Sequence, residues 1–378
     1  MIRPMTHYLD NAATTPVSKG CIEAAEKILE EYYGNPSSLY GLGIKASKQY
    51  EAARDTIAAS LHCRPEEIYF TGCGTESNNL AIFGAARARK NWGSEVIVTG
   101  YEHPSVQNTV NALKDEGFTV IEIAPKNGVI DPTEIISRVN DKTALVAAML
   151  VNNETGAKID VASLAEEVKA INRRTAVHCD AVQGYMKEKI DLGSIDTMSA
   201  SGHKINAPKG VGILYVRKGF NIVKSQFGGG QERGLRSGTE NVAFACAFAK
   251  AVEEHSDIVG NLKRISGLRD SLRDRLGEFD NVTINSPDSA SPYVLNFSFE
   301  GYRSETILHF LESREVFVSS GSACSKGERS HTLEAMRLGR RLVDSAVRVS
   351  FGLQNSEDDI DALIEGLREA KRSLMKVK

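Results

Sequence analysis

Lys204 closes the run Ser201-Gly202-His203-Lys204, which lies between an apolar run ending at Asp180 and the apolar stretch from Val211 to Val216. A lysine in a loop at a sheet edge, with a carboxylate two dozen residues upstream, is the pairing that pyridoxal 5'-phosphate chemistry requires. The amine can form a Schiff base with the cofactor aldehyde. The carboxylate can keep the pyridine nitrogen protonated, so that the ring withdraws electrons. Each residue also has a plainer reading, Asp180 as a helix N-cap and Lys204 as a surface-loop lysine. His203 beside the lysine and Pro208-Lys209-Gly210 after it argue against an incidental lysine. A thiol stands apart from this pair. Cys324 follows the strand-like Val316-Phe317-Val318 in the loop Ser319-Ser320-Gly321-Ser322-Ala323-Cys324-Ser325, whose small polar residues do not suit an inert buried sulfur.

Two further segments could serve the same chemistry. Gly72-Cys73-Gly74-Thr75-Glu76-Ser77 follows the strand-like Ile68-Tyr69-Phe70 and opens a helix. Backbone amides and the Thr75 and Ser77 hydroxyls at a helix N-terminus form an anion cup. The segment has neither the lysine of a nucleotide P-loop nor the spacing of a dinucleotide turn, which points to a phosphate without a nucleotide. His103, in Gly100-Tyr101-Glu102-His103-Pro104-Ser105, can stack on a flat ring or move protons, or it can cap the helix that Pro104 begins.

Elements that position these residues are legible as an alternation of amphipathic helices and short apolar strands, the pattern of a parallel α/β sheet. Strands are expected at 95–99, 119–123, 144–149, 176–180 and 211–216. Asp160 precedes a helix with Val161, Leu164, Ala165 and Val168 on one face, and Ser356 precedes one with Ile360, Leu363, Ile364 and Leu367. The alternation stops near residue 255. A long helix, the strand-like 294–299, the Cys324 loop and 346–351 follow. The expected organisation is a large domain over 15–255 and a smaller α+β domain made of 1–14 with 256–378.

Composition is that of an ordinary globular protein, with 378 residues, 41% hydrophobic and 25% charged. A net charge of −3 gives no electrostatic case for nucleic acid or an anionic membrane. No apolar run approaches the roughly 20 residues needed to cross a bilayer, and no signal-peptide core is present, so the cytoplasm is the expected location. The six cysteines are scattered, with no zinc spacing and no disulfide framework, and no metal site is expected.

The set of segments is more specific than any member. Leu9-Asp10-Asn11-Ala12-Ala13-Thr14-Thr15, Gly34-Asn35-Pro36-Ser37-Ser38, Gly74 to Asn79, Glu102-His103, Asn152 to Gly156, His178 to Gln183, Ser201 to Lys204, Arg236-Ser237-Gly238-Thr239 and Ser319 to Cys324 occur in that order. In this the chain resembles the cysteine desulfurases of the NifS/IscS-like group, class V relatives of the aminotransferases, from about Tyr8 to Phe351. The resemblance implies the type I pyridoxal phosphate fold, an α/β fold with a mostly parallel seven-stranded sheet and a smaller α+β domain. It implies that Lys204 carries the cofactor and acts as base and acid, that Asp180 pairs with the pyridine nitrogen, and that His103 stacks on the ring. Gln183 and Asn153 would hold the phenolic oxygen. Gly74, Thr75, Ser201 and His203 would bind the phosphate, with Thr239 arriving from a second subunit of a homodimer. Arg348, Asn35 and Asn11 would bind the substrate, L-cysteine. Cys324 would take its sulfur as a persulfide for an acceptor such as an iron–sulfur scaffold protein, and could also ligate a cluster transiently. Selenocysteine lyase, an aminotransferase and a non-catalytic sulfur carrier are the rival readings on this fold. Two departures from the family pattern are Ala207, where a glycine is usual, and Arg337, where a glycine is common. The chain ends at Lys378, where members that dock an iron–sulfur scaffold have a longer tail, which leaves the acceptor open.

Overall fold

The computed structural model describes residues 6–320 and 330–376. Seven strands form the main sheet in the spatial order Ile68–Thr71, Gly212–Val216, Thr197–Ser201, Ala176–Asp180, Thr143–Met149, Glu95–Thr99 and Thr119–Ile123. Gly212–Val216 runs antiparallel to both its neighbours, and the other pairings are parallel. The central strands Thr143–Met149 and Ala176–Asp180 are buried at every position. Helices cover both faces of such a sheet, which is why its strands read as continuous apolar runs. Alternation along each strand sorts the two faces. Ile97, Val146 and Ala148 pack with helices Lys19–Glu31, Gly41–Ser60, Val161–Ile171 and Val242–Glu254. Val96, Val98, Leu145 and Ala147 pack with Gly74–Arg89 and Pro104–Ala112 on the other side.

The expected strands are present, the third beginning one residue earlier, at Thr143, and the fifth one residue later, at Gly212. Thr197–Ser201, whose sequence is Thr-Met-Ser-Ala-Ser, was not expected. It carries only two apolar side chains, yet all five positions are buried because strands flank it on both sides. Register alone makes it a core strand.

A second core joins Leu9 to helices Ile258–Leu276, Ser304–Glu312 and Glu357–Ser373 and to a three-stranded antiparallel sheet. The strand order there is Ala346–Ser350, Val294–Phe299, Val282–Ile284. His7–Tyr8 pairs in parallel with Val316–Phe317, which brings the N-terminal segment back against this later part of the chain. Ser356 stands at the N-cap of the last long helix, where the Asp359 carboxylate accepts from Ser356 N at 3.0 Å in a capping box. Among the described residues no helix is long and apolar enough to cross a membrane.

Candidate active site

Five functional segments meet because each follows the carboxyl end of a strand, the position at which open α/β sheets gather ligands. Gly74 and Thr75 begin the helix after Ile68–Thr71, and His103 begins the helix after Glu95–Thr99. Asn153 follows Thr143–Met149, Asp180 ends its own strand, and Ser201 ends Thr197–Ser201. They line a cleft of about 690 Å³ together with Gln183, His203, Lys204 and Arg348. Ten of the sequence-selected residues thus share one cavity wall.

Close packing shapes the cup at the Gly74 helix start. A Cβ on Gly74 would lie 2.6 Å from Val182 Cγ2, and one on Gly212 would lie 2.8 Å from the Cys73 carbonyl carbon. Glycine at both positions lets the helix start, the Asp180 loop and the strand beside Ser201 approach each other. The cup's amides belong to a 16-residue helix, whose dipole adds positive potential there.

The lysine turn is strapped to the N-terminal segment. Thr15 N and Oγ1 both donate to His203 O at 2.9 Å, and His203 Nδ1 lies 3.1 Å from Thr14 Oγ1. Lys204 Nζ donates to Ala12 O at 2.7 Å and Ala13 O at 2.8 Å, which aims the amine along the cleft wall that those residues share. Burial pushes the His203 imidazole down to about 3, with Lys204, Lys209 and Lys187 adding to the effect.

Asp180 sits in a network that the sequence did not assign. Its Oδ2 accepts from Asn78 Nδ2 at 2.8 Å and its Oδ1 from Val182 N at 2.9 Å. The second contact closes a turn in the manner of a capping aspartate, and the carboxylate also lines the cleft. Because the Asn78 amide donates to a carboxylate, its Oδ1 faces His178 Nε2 at 3.0 Å and accepts that proton. His178 Nδ1 then accepts from Thr197 Oγ1 at 2.9 Å. Burial depresses this histidine to about 4, in keeping with the neutral ring. Asn78 Nδ2 also reaches Ser105 Oγ at 2.9 Å, and Ser105 Oγ lies 2.8 Å from His103 Nδ1.

His103 takes the capping role and also faces the cleft. It caps Pro104–Ala112 by accepting from Ser105 N at 3.1 Å. That backbone donor requires Nδ1 to be the unprotonated nitrogen, so the neutral ring carries its proton on Nε2. Burial lowers the affinity of the ring for a second proton, while Asp180 pulls the other way.

Arg348 enters from the second core. Its Nη1 donates to Asn153 O at 3.0 Å and its Nη2 to Asp10 Oδ1 at 2.7 Å. The Asn153 loop is itself set by Asn152, whose Oδ1 accepts from Glu154 N and Thr155 N, each at 2.9 Å, before Gly156 turns the chain at φ +74°.

Three sequence-selected residues lie outside the lining. Asn11 is fully buried one residue behind it, with its amide donating to Ser350 O at 2.9 Å and Asn355 Oδ1 at 3.1 Å and its Oδ1 accepting from Gln354. In this structure that side chain fastens the N-terminal segment to the strand Ala346–Ser350 and does not reach the cleft. Asn35 is exposed and accepts from Ser37 N, and Thr239 is exposed as well. Cys324 lies outside the described residues. Of the two departures, Arg337 adopts φ +58°, the left-handed region that favours glycine, and Ala207 is fully buried against Gly202.

Asn78, Ser105 and Glu102 are the residues that sequence reasoning quoted without a role. Asn78 had one usable signal, since it falls one helical turn after Gly74 and so shares its face.

Whether this wall suits pyridoxal phosphate can be asked of its polar atoms. Ser201 Oγ, Gln183 Oε1 and Glu102 Oε2 are buried, belong to lining residues and have no hydrogen-bond partner among the described residues. Gln183 Nε2 meanwhile donates to Ala12 O at 2.9 Å. Unsatisfied buried polar atoms beside an amine, a helix start and a carboxylate fit a phosphate-bearing, ring-shaped ligand with polar edges.

The sequence profile of the Aminotransferase class-V family matches residues 7–363. A cysteine desulfurase of Nostoc sp. is 38% identical over 370 residues, covering 96% of this chain and 92% of that protein. A solved NifS-like protein superposes with a TM-score of 0.93 at 36% identity, over 98% of this chain and all of that one. Another solved structure, SspA in complex with cysteine, superposes with a TM-score of 0.81 at 32% identity, covering 92% of this chain and 99% of that one.

Proposed function

The chain belongs to the class V aminotransferase family, and on that premise we propose that its cleft binds pyridoxal 5'-phosphate and removes sulfur from L-cysteine as a cysteine desulfurase. The observation that carries the reading is the convergence of Lys204, Asp180 and the unpartnered Ser201 Oγ and Gln183 Oε1 on one cleft. The related structure described with cysteine supports the choice of substrate.

Bound there, pyridoxal 5'-phosphate supplies an electron sink for the bonds at the substrate Cα. Lys204 holds the cofactor and moves the proton at Cα. Asp180, braced by Asn78 and Val182 N, keeps a proton on the ring nitrogen. His103 would stack on the ring, and its Nε2–H is free of the Ser105 contact. Gly74, Thr75, Ser201 and His203 hold the phosphate, Asn153 and Gln183 the phenolic oxygen. Arg348, which lines the cleft, holds the cysteine carboxylate.

Cys324 attacks the substrate sulfur as a thiolate. An S–S bond forms as the C–S bond breaks, and the electron pair of that bond passes to carbon, which takes up a proton to leave L-alanine. Sulfur is oxidised and carbon reduced in the same step, so no external oxidant is consumed. The persulfide then serves an acceptor, for which an iron–sulfur scaffold is the suggested class, and transient cluster ligation by Cys324 belongs to the same reading. In this scheme 15–255 is the cofactor domain, and 1–14 with 256–378 carries the acceptor cysteine. The protein acts as a homodimer in the cytoplasm. Thr239, exposed and outside its own cleft, suits a phosphate contact in the partner, and exposed Leu39 and Phe227, at 92% and 77%, suit a covered surface.

The test is to supply the cofactor-loaded protein with L-cysteine and a thiol reductant and to quantify alanine and sulfide together. Equal yields are expected. Absence of both with the cofactor bound overturns the reading, and an undiminished rate in Cys324→Ala overturns the nucleophile.

A further inference from the structure

Glu102 occupies the turn between the strand Glu95–Thr99 and the His103 cap, is 4% exposed and lines the cleft. Both of its protein hydrogen bonds go to one oxygen. Oε1 accepts from Thr99 Oγ1 and from Met149 N, the latter at 2.7 Å, while Oε2 is buried with no partner among the described residues. Among the described residues no cation forms an ion pair with it, and the charge that acts on it is the like charge of Asp180.

Two buried carboxyl groups in one site do not share charge equally. Each oxygen of Asp180 accepts a hydrogen bond from an N–H, so the negative charge of the pair rests on Asp180. Glu102 offers a charge only one satisfied oxygen, and a buried carboxylate oxygen left bare is strongly disfavoured. With the Oε1 lone pairs taken, the proton of the neutral acid sits on Oε2. A buried O–H requires an acceptor, and the space that Glu102 lines is the cleft.

We propose that Glu102 is a neutral carboxylic acid whose Oε2–H donates a hydrogen bond to an acceptor oxygen of the ring ligand in the cleft. The inference rests on the cofactor reading above and adds to it a ligand-binding residue. Burial and Asp180 together push this carboxyl up to about 8, which agrees with the geometry. The titratable groups around it are Asp180 and the Cys179 thiol on the strand beyond Thr143–Met149, Tyr101 and His103 on its own turn, and Lys204 on the shared cleft. The element that carries Met149 faces it with a backbone N–H alone.

Pyridoxamine 5'-phosphate is the probe, because it has the ring, phenolic oxygen and phosphate but no aldehyde to react with Lys204. Its affinity for the cofactor-free protein is measured at pH 7 and 9.5 in the parent and in Glu102→Gln. Glutamine keeps the acceptor at Oε1 and places an N–H at the second position at every pH. If bound ligand requires the protonated acid, the parent loses affinity by up to about 30-fold more than the variant over this interval. Equal pH dependence in the two proteins overturns the inference and leaves the cofactor reading standing. Failure of the probe to bind either protein overturns the cofactor reading and this inference with it. Infrared difference spectra of the parent guard against misfolding of the variant. A protonated-carboxyl stretch at neutral pH that shifts when the probe binds is expected, and its absence overturns the inference.

Discussion

Asn78 makes three contacts with one amide, to Asp180, His178 and Ser105. Its replacement by alanine leaves a buried carboxylate oxygen and an imidazole N–H unsatisfied, at about 1–3 kcal/mol each. We expect Asn78→Ala to lower the thermal midpoint and to weaken cofactor binding together, and a melt with and without cofactor measures both. His178 supplies a pH signature. Its folded value near 4 lies below the unfolded value of 6.5, so the folded state refuses a proton that the unfolded chain accepts. Its contribution is complete above about pH 6.5 and is lost as pH falls toward 4, amounting to about 2 kcal/mol between pH 7 and 5. Denaturant unfolding at the two pH values should show that loss, and His178→Gln should remove its share of it.

Elements in this protein are held by a few buried contacts at their ends. Gly212 begins the antiparallel strand against the Cys73 backbone and the Ala200 carbonyl, and neither is a flexible side chain that could swing away. Gly212→Ala should therefore cost about 1–3 kcal/mol and displace the helix start that carries Gly74 and Thr75. Weaker cofactor binding alongside a lower melting temperature is the expected result. The segment that carries Thr239 is anchored elsewhere, by Glu232. That carboxylate accepts from Arg54 at 2.8 and 2.9 Å, from Tyr50 at 2.7 Å and from Phe70 N at 2.8 Å. Glu232 and Arg233 both have positive φ, at +47° and +53°, and this network holds that backbone in place. Arg54→Leu strands a buried carboxylate, and a loss of about 3–5 kcal/mol in chemical unfolding is expected.

At the scale of the molecule, Arg348 ties the second core to the cleft through Asp10 and the Asn153 carbonyl. Arg348→Lys keeps the charge but loses the fork. A fall in kcat/KM for cysteine of roughly 10- to 100-fold, worth about 1.5–3 kcal/mol, is expected with little change in cofactor affinity.

What the sequence determined by itself was chemistry and alternation. Lysine, aspartate and a glycine-rich helix start have residue-level signals, and apolar runs at period two or 3.6 mark strands and helices because burial imposes those periods. Ordered motifs carried the resemblance, and the family match agrees with it. Other features were decided only in three dimensions. Thr197–Ser201 is a strand because strands flank it, a fact its polar composition conceals. Asn11 has the right type for a ligand contact, yet its partners are Ser350 and Asn355, more than 300 positions away. Glu102 reads as a surface-compatible residue in a turn. It becomes a buried acid with one bare oxygen only because the ends of two neighbouring strands supply Thr99 and Met149 N to the other oxygen, and a third brings Asp180 close. Side-chain type is local, whereas solvation and charge partners depend on which distant segments the sheet order places side by side.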